Sequence, residues 1–114
     1  MIEIQSIAFP EDCRVTNHDF YNYDPVNSFN EEHSLTYLNE DLLQCVFPEE
    51  HMIIDLGWYG NLKTNEGEFR IYIVINENWE YPFNVIHSKS VDEIKTLLTK
   101  TLEYCSKTNY KSEN

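Results

Sequence analysis

A chain of 114 residues, 41 % hydrophobic and 25 % charged, is long enough to bury one core without disulfides or metals and too short for two domains, so residues 1–114 are read as a single globular domain. Its formal charge of −12, from 20 acidic against 8 basic residues, makes it a poor ligand for nucleic acid or an anionic membrane and points to a basic partner. The charge is also uneven, with twelve acids against Arg14 alone in residues 1–57 and eight acids against seven bases in residues 58–114. A surface facing a cationic partner would be built this way if the first half folded onto one side.

Met1 to Phe9 alternates loosely through Ile2 and Ile4, with Ile7 and Phe9 on the opposite parity, and reads as a strand ended by Pro10. Glu11 to Asn27 has three Asn, three Asp and Pro25 among Phe20, Tyr21 and Tyr23; it reads as a long loop with a short strand near Cys13 to Thr16. A loop of this length is either functional or pinned to the core by Phe20 and Tyr23.

Ser28 to Phe47 supports two readings. Leu35, Leu38, Leu42 and Val46 have the spacing of one helical face, with Ser28 and Glu31 as a capping box. Alternatively, Leu35 and Tyr37 alternate as a strand that runs to Leu38 and gives way to a short helix. Both readings place helix at Glu40 to Cys45, ended by Pro48.

Met52, Ile54, Leu56 and Trp58 alternate, as do Phe69, Ile71, Ile73 and Ile75, each set being one buried face of a strand. Between them Tyr59 to Glu68 is polar, with Gly60, Asn65 and Gly67, and predicts an antiparallel hairpin. Gly57 marks a bulge or a close contact beneath Trp58. Asn76 to Pro82 is a wide polar turn holding Trp79, and Phe83 to His87 is a short strand. The two tryptophans fall at opposite ends of the sheet, and both read as core. Ser90 and Glu93 form a capping box for a helix to about Ser106, whose inner face is Val91, Ile94, Leu98, Leu102 and Cys105 and whose outer face carries Lys95, Lys100 and Lys107. The tail TNYKSEN is expected to fray. The expected fold is α+β: an antiparallel sheet of four to five strands, the C-terminal helix on one face and a shorter helix in the first half.

Chemistry-bearing motifs are absent. Cys13, Cys45 and Cys105 form no CxxC pair and read as reduced, mostly buried thiols. Cys45 lies in an acidic, leucine-rich stretch that suppresses its thiolate. His18, His33, His51 and His87 are scattered without metal-ligand spacing, and no glycine belongs to a phosphate-cradling loop. The pairs Glu32–His33 and His18–Asp19 are adjacent residues that point different ways, so they read as solvated positions. No metal, cofactor or catalytic residue is expected, and the chain is read as a binding protein and not an enzyme. The opening MIEIQSIAFPED lacks a signal's basic start and apolar run, and no stretch approaches the roughly 20 apolar residues of a membrane span, so a cytoplasmic location is expected.

The runs DLGWYG, GEFRIYIVIN and NWEYP, followed by the capped helix, resemble small immunity proteins of bacterial polymorphic-toxin and contact-dependent growth inhibition systems. Gly57, Trp58, Gly67, Phe69, Trp79 and Pro82 carry the resemblance, which covers the second half of the chain. It implies a protein that binds and blocks one cognate toxin domain with a basic surface, frequently a nuclease, without touching nucleic acid or membrane. The toxin-facing charges expected are Glu31, Glu32, Glu40, Asp41, Glu49 and Glu50, with Asp19, Tyr21, Tyr23 and Asp24 as a second set. A competing reading is a phage or mobile-element mimic of nucleic acid that occupies a host DNA-binding enzyme. A third is a small enzyme with a pocket between the long loop and the sheet.

Overall fold

The two alternating runs pair as their period predicts, over a longer span than the apolar residues mark. The computed structural model describes residues 1–107, and in it β3 (Met52–Asn61) and β4 (Glu66–Ile75) form an antiparallel hairpin in unbroken register, from Met52 opposite Ile75 to Asn61 opposite Glu66. The polar connection therefore shrinks to residues 62–65. Asn61 closes it by accepting the Lys63 N–H at 2.9 Å, and Asn65 takes the left-handed conformation at φ 61°. The ladder passes through Gly57 opposite Arg70 with no bulge, so close contact is the reason for that glycine. A Cβ there would lie 2.7 Å from the Glu40 carbonyl carbon and 2.8 Å from its Cα.

Three shorter strands complete the sheet: β1 (Arg14–His18), β2 (Leu43–Phe47) and β5 (Asn84–Ser88). The five are antiparallel neighbours in sequence order, β1-β2-β3-β4-β5. The α+β class expected from sequence is the class observed.

α1 (Glu31–Tyr37) and β2 replace the helix expected at Glu40 to Cys45. Leu43, Cys45 and Phe47 alternate with Gln44 and Val46, and that period of two wins because β3 offers them a full ladder of backbone partners. The Ser28–Glu31 capping box does not form; Asn30 caps α1 instead, its Oδ1 accepting the His33 N–H at 2.9 Å. Leu35, placed on the inner face by its spacing, is 60 % exposed. Met1 to Phe9 is not a strand, making only an isolated bridge between Ile4 and Tyr21 and a bond from the Gln5 N–H to the Phe20 carbonyl at 2.8 Å. Its neighbour there is irregular chain, which offers no continuous ladder, and Ile2, Ile7 and Phe9 pack on the core from both parities.

α2 (Val91–Cys105) starts as predicted, with the Ser90 hydroxyl accepting the Glu93 N–H at 3.1 Å. It lays Val91, Ile94, Leu98 and Leu102 on β4 and β5, while Phe20, Tyr23, Leu38 and Leu42 cover the same sheet face next to them. Trp58 and Phe69 stand opposite each other in this core, and Phe69 meets Phe20 edge-on at 6.1 Å. The tail expected to fray lies outside the described residues.

Candidate protein-binding face

The pleat sends alternate side chains of every strand to the face that α2 does not cover. Gln44 and Val46 of β2, Ile53, Asp55 and Tyr59 of β3, Arg70 and Tyr72 of β4, and Val85 and His87 of β5 project there. Most are half-buried, Val74 beside Ile53 is fully buried, and Pro48 and the turn at Asn76 and Glu77 border Val46 and Ile53.

Asp55 is the unusual member. An aspartate in mid-strand on a sheet face would ordinarily be solvated, yet it is only 7 % exposed, because the 39–42 segment passes close to β3 and holds Trp58 N–H to the Asn39 carbonyl at 2.8 Å and Leu42 N–H to the Leu56 carbonyl at 3.0 Å. Gln44, directly opposite in register, donates its amide to Asp55 Oδ2 at 2.9 Å. Gln44 Oε1 in turn accepts the Thr16 hydroxyl at 2.9 Å. Asn17 donates to the Asp41 carbonyl at 2.7 Å, and the Asp19 N–H to the Leu42 carbonyl at 2.7 Å. These bonds frame a cleft of about 440 Å³ lined by Thr16, Asn17, Asp19, Asn39, Asp41, Gln44 and Asp55.

The electrostatics are those of concentrated negative charge. Burial raises the Asp55 carboxyl above its ordinary value; the Gln44 bond opposes the shift and the charge of Asp41 adds to it. The Tyr59 phenol is pushed up to about 12, first by burial, then by Asp55, Tyr72, Glu40 and Asp41. Tyr59 meets Tyr72 edge-on at 5.7 Å, and the Arg70 guanidinium lies 5.0 Å from the Tyr59 ring centre. Arg70 and His87 both bond Glu68, Arg70 at 2.9 Å, and those bonds, that from His87 foremost, hold Glu68 below its usual range. The face thus runs from carboxylates at β1–β3 to a neutralised Glu68–Arg70–His87 group at β4–β5.

The residues singled out from the sequence divide into four places. Asp19 and Asp41 line the cleft, and Glu40 lies beside it, its backbone against Gly57 and its charge felt by Tyr59. Glu49 and Glu50 sit in a 3₁₀ turn, Pro48–Glu50, at the far end of β2, where Glu50 pairs with Lys107 at 3.2 Å. Glu31 and Glu32 are exposed in the first turn of α1. The loop residues are occupied structurally. Tyr23 is 3 % exposed, with its hydroxyl bonded to Ser34 at 2.7 Å, so it is core and not surface. Tyr21 packs against Tyr37 with ring centres 5.0 Å apart and planes tilted by 53°, and Asp24 accepts the Val26 and Asn27 N–H groups at 2.9 and 3.1 Å. Against the desolvation that would raise it, those bonds and the Asn27 amide hold Asp24 below its usual value.

Asp55, Gln44, Tyr59 and Tyr72 escaped the sequence reading. The available signal was an aspartate inside the apolar alternation MIIDLGW, at a position that a two-period pattern assigns to the face opposite Ile54 and Leu56. Trp79 departs from its core reading: it is 47 % exposed, followed by Tyr81 at 73 % and Phe83 at 69 %. Among nucleophiles, Cys45 is fully buried, and desolvation first, then the neighbouring Cys13 and Cys105, raise its thiol. Among the described residues, no three His, Cys, Asp or Glu side chains are placed to share a metal ion, and no helix is long and apolar enough to cross a membrane.

No protein-family model matches the chain, and neither a curated protein nor a solved structure does. Of the residues behind the immunity-protein resemblance, Gly57, Trp58, Gly67 and Phe69 are packed into the sheet, while Trp79 is exposed. A Cβ at Gly67 would lie 2.6 Å from the Trp58 ring, Trp58 faces Phe69, and Gly57 lies against the Glu40 backbone. They describe the frame that carries the face.

Proposed function

We propose that this chain is an immunity protein that binds and neutralises one cognate basic toxin domain, of nuclease type, through the acidic part of its uncovered sheet face. The observation that carries the reading is topological. Because the strands lie in sequence order, β1 and β2 of the acidic half form one flank, where Asp19 and Asp41 line a cleft with the desolvated Asp55 and Glu40 adds its charge beside Tyr59. A nuclease must present a basic surface to its phosphate substrate, and a compact carboxylate cleft flanked by Tyr59 and Tyr72 suits guanidinium and ammonium side chains. Glu40, Asp41 and Asp19 are the toxin-facing acids in this reading, with Asp55 and Gln44 beneath them. Glu31, Glu32, Glu49 and Glu50 contribute to the long-range field.

The test is a pull-down with tagged protein against the product of the adjacent reading frame, at low and high salt, repeated with Asp19, Glu40 and Asp41 changed to lysine. One stoichiometric partner that survives high salt and is lost on charge reversal is expected. Capture of many basic proteins that all wash off with salt would replace this reading with nucleic-acid mimicry.

A further inference from the structure

The three cysteines are far apart in sequence, and the fold brings them to one place. Cys45 lies in the middle of β2 and is fully buried, and Cys13 and Cys105 pack half-buried against the same core. Cys13 directly precedes β1. Arg14 pairs with Val46 and Val15 with Cys45, so carrying that register back one residue sets Cys13 on the core side, diagonal to Cys45. The two thiols are hydrogen-bonded to each other, and the Cys13 thiol donates to the Pro10 carbonyl at 3.2 Å, which leaves Cys45 as the donor between them. Cys105 ends α2, where the Ser106 hydroxyl and the Lys107 N–H bond the Asp12 carboxylate at 2.7 and 2.8 Å, and it acts on Cys45 through charge.

We infer that Cys13 and Cys45 are a dithiol that a low-molecular-weight disulfide oxidises to an intramolecular disulfide, Cys13 attacking first and Cys45 closing the bridge. Exposure sets that order, because only Cys13 of the two can meet a solute. Cys13 gives up its proton and attacks one sulfur of the small disulfide, whose S–S bond breaks and whose released half takes up a proton as a thiol. Cys45 then gives up its proton and attacks the Cys13 sulfur, already beside it, so this step needs no access from solvent. The second small thiol leaves with a proton, so two protein thiols are oxidised and one small disulfide is reduced to two thiols. Burial raises both protein thiols, so the exchange is slow near neutral pH and quickens as pH rises, while the bond from Cys45 favours the Cys13 thiolate. Cys13 stands just outside the β1–β2 ladder, so the bridge breaks no strand bond. It fastens the start of β1, which carries Thr16 and Asn17 of the cleft, to β2. The chemistry concerns this chain alone and does not rest on the toxin-binding reading.

Oxidised glutathione is the probe, in excess over the folded full chain at about pH 8, with acid quenching, intact mass and peptide mapping. The expected product has lost two hydrogens, retains no glutathione, joins Cys13 to Cys45 and leaves Cys105 free to be alkylated. Cys45→Ala is expected to stop at a stable glutathione adduct on Cys13, and Cys13→Ser to slow reaction at least about tenfold. Cys105→Ala is expected to leave the bridge unchanged, and circular dichroism confirms the fold of each variant. Urea is expected to scramble the product into all three pairings, since contact in the folded chain selects one. A wild-type chain that keeps a glutathione adduct, a bridge that includes Cys105, a bridge between two chains, or no reaction while folded would each overturn the inference.

Discussion

Asp55 links the stability of the chain to the face it presents. Its carboxyl is held above the ordinary 3.8, chiefly by burial, so the folded chain binds this proton more tightly than the unfolded chain. The favourable contribution is therefore complete below 3.8 and is lost as pH rises through the raised folded value, leaving the ionised carboxylate as a net cost near neutral pH. Asp55→Asn keeps the shape and removes the charge. We predict a gain on the order of 1 kcal/mol at neutral pH that shrinks toward pH ~4, while binding of the basic partner weakens. Urea denaturation at both pH values checks this, and an equal gain at both would show that charge is not its source. Gly57 is constrained by its neighbour. Gly57→Ala sets a methyl against the Glu40 backbone and is expected to cost about 2 kcal/mol and to displace the 39–42 segment from the cleft, seen as a lowered denaturation midpoint and altered amide shifts at residues 39–42.

At the scale of elements, the segment from Ser28 to Phe47 shows how a pattern can mislead. Leu35, Leu38, Leu42 and Val46 have helical spacing, but only α1 is helix, because Asn30 starts it and Leu38, with its N–H bonded to Ser34, ends it in extended conformation. We predict that Asn30→Ala lowers stability by about 1 kcal/mol while Ser28→Ala, at the cap the sequence suggests, changes almost nothing. Chemical denaturation of the two variants decides it: the reverse order would mean that Ser28, and not Asn30, caps the helix. The C-terminal helix was legible because its capping box, apolar face and length agree. The β3–β4 hairpin was legible for the same reason, although its polar ends hid the full strand length; Tyr59 to Asn61 and Glu66 to Glu68 are strand through backbone pairing alone.

For the whole molecule the decisive feature is strand order. A meander converts position along the chain into position across the sheet, so the acid excess of residues 1–57 becomes a flank with a field. We predict that reversing Asp19, Glu40 and Asp41 slows association with the basic partner tenfold or more at low salt and also speeds dissociation, because these acids face the partner directly, while reversing Glu49 and Glu50, one of which already faces Lys107, slows association less. Stopped-flow association at two ionic strengths tests this ranking, and equal effects at the two places would dissolve the cleft as a distinct site.

Local sequence by itself determined the elements whose patterns are complete within the element: the alternation of β3 and β4, the capped face of α2, the α+β class and the net charge of each half. Tertiary structure alone decided whatever depends on a partner distant in sequence. β2 is a strand because β3 offers it a ladder, and residues 1–9 are not one because their neighbour is irregular. Asp55 is desolvated because the 39–42 segment passes close by, and His87 reaches Glu68, which Arg70 already meets two residues along β4, only through the register of β4 with β5. Periodicity records which face a side chain takes, while burial and charge clustering record what lies opposite it, and that is set by chain segments far away in sequence.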